Sequence, residues 1–197
     1  MILLKKKYTG MLFVLLLITI LSACSNSEKT LEEPNNWKVE DFTYTNQANN
    51  PVSLEDLKGT VWLADFIFTN CDTVCPPMTA NMNKLQVKLK EEGMEDVRIV
   101  SFSVDPEVDT PQMLQEFGDK FGVDYSNWDF LTGYKLDEVK TLALKSFKAL
   151  VEKPEGEDQV WHGTSFYLVN QEGIVVRDYS GLDVPFEQII ADIKTIR

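Results

Sequence analysis

Histidine occurs once in this chain, at position 162, and cysteine only at 24, 71 and 75. So sparse a set argues against a structural zinc centre, which takes four protein ligands, usually in two short-spaced pairs; only Cys71 and Cys75 are close together. Positive charge is also scarce. Nineteen Lys and Arg face 31 Asp and Glu, a net charge of −12, which disfavours nucleic acid and anionic lipid as direct binding surfaces. Repeats and low-complexity segments are absent. The apolar run from Met11 to Leu21 is shorter than the roughly 18 residues of a membrane-spanning helix.

That run has a different use. Lys5, Lys6 and Lys7 precede it and small residues follow, the order of an export signal covering residues 1–23. Leu21-Ser22-Ala23-Cys24 resembles a bacterial lipobox, in which cleavage precedes the cysteine and that cysteine carries lipid. Lipidation of Cys24 also accounts for the odd cysteine count of an exported chain. The expected location is the outer face of the bacterial cytoplasmic membrane, lipid-anchored. Residues 24–36, polar and without apolar period, read as a tether, and 37–197 as one domain.

Within that domain, Val39 to Tyr44 and Pro51 to Val52 flank a turn-rich Asn/Gln stretch and predict a short hairpin. Ser53 with Asp56 predicts a capped helical turn ending at Gly59. Val61 to Phe68 reads as a strand buried on both faces that delivers the chain to Cys71. Pro76 and Pro77 suit a helix's first turn, and Met82, Leu85 and Leu89 continue it to Gly93. Strands at Val97–Val104 and Trp128–Leu131 alternate with helices at Thr110–Phe121 and Leu136–Leu150, so the core is parallel α/β. A hairpin, Ser165–Val169 with Ile174–Tyr179, and a helix, Phe186–Ile196, complete the order of a thioredoxin-like fold with an N-terminal β-hairpin extension.

Cys71 and Cys75 therefore lie where a strand gives way to a helix. Four residues apart on a helical turn, their Cα atoms stand roughly 6 Å apart, close enough for a disulfide or for one shared metal. A helix N-terminus favours the thiolate and so assists both uses. In a thioredoxin-like fold the loop entering the last hairpin passes these cysteines. A disulfide reductase normally carries a proline there; this chain has Trp161-His162-Gly163-Thr164-Ser165, which points instead to a Cys-Cys-His metal site. Two thiolates and one imidazole suit copper better than magnesium or calcium, and copper better than zinc. Outside the cytoplasm the pair oxidises unless a thiol reductant maintains it.

Phe68-Thr69-Asn70-Cys71-Asp72-Thr73-Val74-Cys75-Pro76, Ser103-Val104-Asp105-Pro106-Glu107-Val108-Asp109-Thr110-Pro111, and His162 followed by Phe166-Tyr167-Leu168-Val169 together resemble the Sco/SenC family. The likeness runs from about Val39 to the C-terminus. It implies a thioredoxin-like copper protein that assists assembly of the binuclear copper centre of cytochrome c oxidase. On that likeness Cys71, Cys75 and His162 are the ligands of Cu(I) or Cu(II), Cys71 and Cys75 are also a redox disulfide, and subunit II of the oxidase is the partner. The alternative is a thiol–disulfide oxidoreductase that reduces the cysteines of the oxidase copper site. A peroxiredoxin is disfavoured, because Phe68 and Asp72 stand where it carries threonine. Relatives often place proline after the first cysteine and histidine or tyrosine before it; here Asp72 and Asn70 stand there, so a second nearby imidazole is lacking. Asp105, at a strand end on the same sheet edge, serves either as a carboxylate behind the ligands or as a turn former before Pro106. Asp109 and Thr110 read as a helix start, Met78 as packing, Trp161 as a neighbour packed beside the site, and Glu152–Asp158 as a solvated, mobile loop.

Overall fold

The computed structural model describes residues 31, 32 and 34–197. The expected export signal, the lipidation site Cys24 and most of the tether lie outside the described residues. Near the start of the described chain, Asn35 N–H donates to the Val176 carbonyl (2.8 Å) and the Glu32 carbonyl accepts from Arg177, so these residues run along the last strand of the sheet.

The elements in chain order are β1 (Trp37–Lys38), β2 (Thr43–Asn46), β3 (Pro51–Ser53), a 3-10 turn (Glu55–Leu57), β4 (Trp62–Ile67), α1 (Cys75–Glu91), β5 (Arg98–Ser103), α2 (Pro111–Asp119), β6 (Trp128–Thr132), α3 (Leu136–Phe147), β7 (Val151–Glu152), β8 (Trp161–His162), β9 (Ser165–Val169), β10 (Ile174–Ser180) and α4 (Phe186–Ile196). Eight strands form one sheet in the order β1-β10-β9-β4-β5-β6-β2-β3, and β7 pairs with β8 separately. β4, β5 and β6 are parallel, whereas β9 runs antiparallel to β4 and to β10. This is the expected thioredoxin-like arrangement, and the expected N-terminal hairpin appears as β2 and β3.

Local chemistry accounts for the element ends. Asp56 accepts from the Ser53 amide at 2.8 Å and hydroxyl at 2.5 Å, holding the 3-10 turn in a capping arrangement. α1 opens on Pro76 and Pro77 and stops before Gly93, which takes the left-handed φ of 68°. α2 is capped by Thr110, whose Oγ1 accepts from Met113 N. The hairpin is keyed to the core by Asn46, which donates to Asp129 Oδ1 at 2.8 Å, and by Gln47, whose Oε1 accepts from Phe130 N at 2.8 Å.

β4 lies between β9 and β5 with every residue buried, which explains its apolar run: a central strand covered on both faces cannot alternate. On one side of the sheet Phe66, Phe102, Phe147 and Tyr167 make an aromatic cluster with ring centroids 5.1–6.1 Å apart, and Phe42 of the N-terminal segment closes over Phe102 at 5.3 Å. α1 lies beside α4, to which Lys88 and Lys194 tie it through Glu187 and Glu92. Both α1 cysteine-side turns and the ends of β4 and β5 thus meet at one edge of the sheet.

Phe102 is fully buried against four aromatic rings. Phe102→Ala is expected to cost about 3–5 kcal/mol of unfolding free energy, measured by denaturant titration. A loss under about 1 kcal/mol would show that this aromatic cluster adds little to the stability of the fold.

Candidate metal centre

The site begins with the backbone of α1. A helix opens with four N–H groups that have no partner inside it. Here two are absent, because Pro76 and Pro77 have none, and Met78 N–H donates to the Val74 carbonyl at 3.1 Å. The Cys75 N–H points at Cys71 Sγ, 3.3 Å away. No side-chain oxygen caps this helix. The Cys71 sulfur takes that place, so the helix end stabilises its thiolate.

The third donor arrives from far along the chain. β7 and β8 pair Val151 with His162 and Glu152 with Trp161, forming a narrow ribbon over the cysteines. Alternation along β8 turns His162 inward and leaves Trp161 62% exposed. His162 Nε2 lies 3.4 Å from Cys75 Sγ, its ring stands edge-on to Phe68 at 5.8 Å, and its Nδ1 lies 2.8 Å from the Gly163 carbonyl. A carbonyl can only accept, so Nδ1 carries a hydrogen and Nε2 is the nitrogen that faces the sulfurs. The two sulfurs and a ring nitrogen lie within 4.8 Å of one another. Bonds of roughly 2.0–2.3 Å to one ion need only a modest inward adjustment.

Both cysteines are free thiols, with Cys75 fully buried and Cys71 nearly so. They titrate in opposite directions. The Cys71 sulfur is held well below an ordinary thiol, chiefly by Cys75, and also by His162 and by the Cys75 and Thr73 amides. Cys75 is pushed up by the neighbouring Cys71 sulfur and by burial. A hollow of about 400 Å³ gives access to the site and is walled by Cys71, Val74, Trp161, His162 and Thr164.

The remaining sequence candidates separate. Asp105 makes no hydrogen bond to the ligand side chains; its carboxylate, 3% exposed, pairs with Lys153 Nζ at 2.8 Å, just beyond β7. Its carbonyl accepts from Val108 and Asp109, so it is also the turn former. Met78 is wholly buried, and its Cε helps to wall Gly181, where a side chain would first strike the Thr164 carbonyl. Trp161 is exposed rather than packed. The charged stretch 152–158 is anchored at both ends, by Lys153 and by Gln159, whose Nε2 donates to the Asn70 carbonyl at 3.0 Å. Two-residue strands carry too little periodicity to announce such a ribbon.

One buried group lies outside the candidates named from the sequence. Asp65 interrupts the apolar run of β4, is 0% exposed, and neither carboxylate oxygen has a hydrogen-bond partner. Its one sequence signal is a charge inside a strand buried on both faces. Burial pushes its pKa up to about 6, against weaker opposing pulls from the neighbouring Ser101 hydroxyl and His162.

A model of the SCO1/SenC family matches residues 31–197. The chain belongs to the SCO1/SenC family. It is 55% identical over 181 residues to the SCO1 protein homolog of Bacillus subtilis strain 168, covering 91% of this chain and 92% of that one. Among solved structures it is similar to BsSco, a member of the Sco family of cytochrome c oxidase assembly proteins in which a disulfide switch is identified: TM-score 0.78, 57% identity, 84% of this chain and 96% of that one. It is also similar to Arabidopsis thaliana ScoI with copper bound: TM-score 0.67, 28% identity, 80% of this chain and 97% of that one. The Sco membership and the sheet described above agree in fold.

Asp65 gives a pH-dependent prediction for this Sco protein. Its folded pKa of about 6 exceeds the ordinary 3.8, so ionisation costs stability as pH rises from about 4 to about 6, and the cost is constant above that. Asp65→Asn is therefore expected to be more stable than the parent at pH 8, by about 3 kcal/mol at most, with the difference vanishing near pH 4. Denaturant unfolding at both pH values checks this; a difference independent of pH would contradict it.

Proposed function

We propose that this Sco protein is a copper carrier at the outer face of the bacterial cytoplasmic membrane. It holds one copper through Cys71, Cys75 and His162 and supplies the binuclear copper centre of cytochrome c oxidase subunit II. The observation that carries the reading is the convergence of two sulfurs and an imidazole nitrogen within 4.8 Å of one another. The donor set is soft to borderline and has three members rather than the four of a closed zinc site, which favours copper. Membership in a family that includes a copper-bound ScoI and an oxidase assembly protein supports the same assignment. Lipid at Cys24 would confine the carrier to the membrane of its partner and raise its effective concentration there.

A second reading has its own observation. Cys71 is disposed to ionise while Cys75 keeps its proton, the asymmetry of an attacking and a resolving thiol. The same pair can therefore reduce a disulfide of the oxidase copper site. An external thiol reductant must then restore it, and one is needed for copper loading as well.

Anaerobic titration of the reduced protein with Cu(II) separates the two. The carrier reading predicts thiolate-to-copper absorption that saturates at one copper per chain, quenching of Trp161 fluorescence beside His162, and loss of tight binding in His162→Ala. Rapid oxidation of the thiols with no stable complex would leave the oxidoreductase as the function.

A further inference from the structure

The loop between β5 and α2, residues 104–110, touches both halves of the metal centre. Asp105 reaches the ribbon of His162 through Lys153. At the loop's other end Asp109, 1% exposed, reaches the cysteine side. Its two carboxylate oxygens each stand 3.2 Å from the Thr69 amide nitrogen; Oδ1 accepts from Thr69 Oγ1 at 2.5 Å and Oδ2 from Ser103 Oγ at 2.6 Å. The Asp109 carbonyl accepts from Thr132 Oγ1 at 2.7 Å. One residue thereby ties together the C-terminal ends of β4, β5 and β6.

Helix capping does not explain this investment. Thr110 supplies the cap of α2, and Asp109 lies outside the helix. Ladder pairing of β4 ends at Ile67, so the Thr69 N–H leaves the sheet two residues before Cys71 with no strand to receive it. A buried N–H without a partner is costly, and a carboxylate that only accepts can serve the Thr69 amide, the Thr69 hydroxyl and the Ser103 hydroxyl together.

We infer that Asp109 is the positioning residue for Cys71: by gripping Thr69 it aims the end of β4 so that the Cys71 sulfur meets the Cys75 N–H at the head of α1. It acts through Thr69 and touches no copper ligand. The inference deepens the copper reading and rests on it for metal affinity alone. The same geometry leaves Cys71 only 5% exposed.

The test uses the full chain in detergent with three variants. Asp109→Asn turns an N–H₂ onto donors that need an acceptor. It is expected to weaken copper affinity roughly 10- to 100-fold against a competing chelator, the range for groups that orient ligands. It should also speed iodoacetamide labelling of Cys71 in the reduced, metal-free protein, read by peptide mass. Thr69→Val moves both readouts the same way, and the double variant falls short of the summed effects because the two share one interaction. Thr110→Ala, which removes only the α2 cap, lowers the melting temperature while leaving affinity and labelling at parental values. Parental affinity and labelling in Asp109→Asn, whatever its melting temperature, would overturn the inference. If that variant does not fold, Thr69→Val decides by the same two readouts. A parent chain that binds no copper would defeat the carrier function, yet the labelling comparison would still decide the role of Asp109.

Discussion

The contact between the Cys75 N–H and the Cys71 sulfur is the interaction on which the site depends. Two prolines strip the head of α1 of competing donors, so the Cys75 N–H, at the positive end of the helix, faces the Cys71 sulfur. The Cys75 thiol, His162 and the Cys75 and Thr73 amides together let Cys71 ionise easily, and the neighbouring Cys71 sulfur, with burial, makes Cys75 resist ionisation. Both proposed functions, copper carriage and disulfide exchange, would begin from this asymmetry. They are two outcomes of one electrostatic arrangement.

His162 completes the site from the other side of the fold. Its ribbon is short, and two strand pairs alone would not hold a ligand in place. The load passes instead to Lys153 and Asp105 at one end of the ribbon and to Gln159 and the Asn70 carbonyl at the other. Phe68 fixes the ring laterally and the Gly163 carbonyl fixes its tautomer. The parallel strands supply the rigid frame: β4 delivers Thr69 and the cysteines, and β5 delivers the loop of Asp105 and Asp109.

Much of this was legible in the sequence. The continuous apolar run to Phe68 marked β4 as central, the proline pair marked the start of α1, and the lone histidine stood where a thioredoxin-like fold passes its cysteines. The ribbon was not legible, since β7 and β8 have two residues each and the charges between them resemble any solvated loop. Asp109 was read as a helix start because its neighbours Thr110 and Pro111 form one; only the folded chain brings it to Thr69, 40 residues away in sequence. Asp65 was passed over in the apolar run of β4, and its full burial belongs to tertiary packing. The exposure of Trp161 follows from strand alternation beside an inward His162, which cannot be assigned before the ribbon is known.

The central claim is that one copper is held by Cys71, Cys75 and His162. X-ray absorption at the copper edge of the loaded protein, with the copper kept as Cu(I), tests it most directly. The account predicts two sulfur scatterers at roughly 2.3 Å and one imidazole nitrogen at roughly 2.0 Å. A shell of sulfur alone, unchanged in His162→Ala, would contradict it.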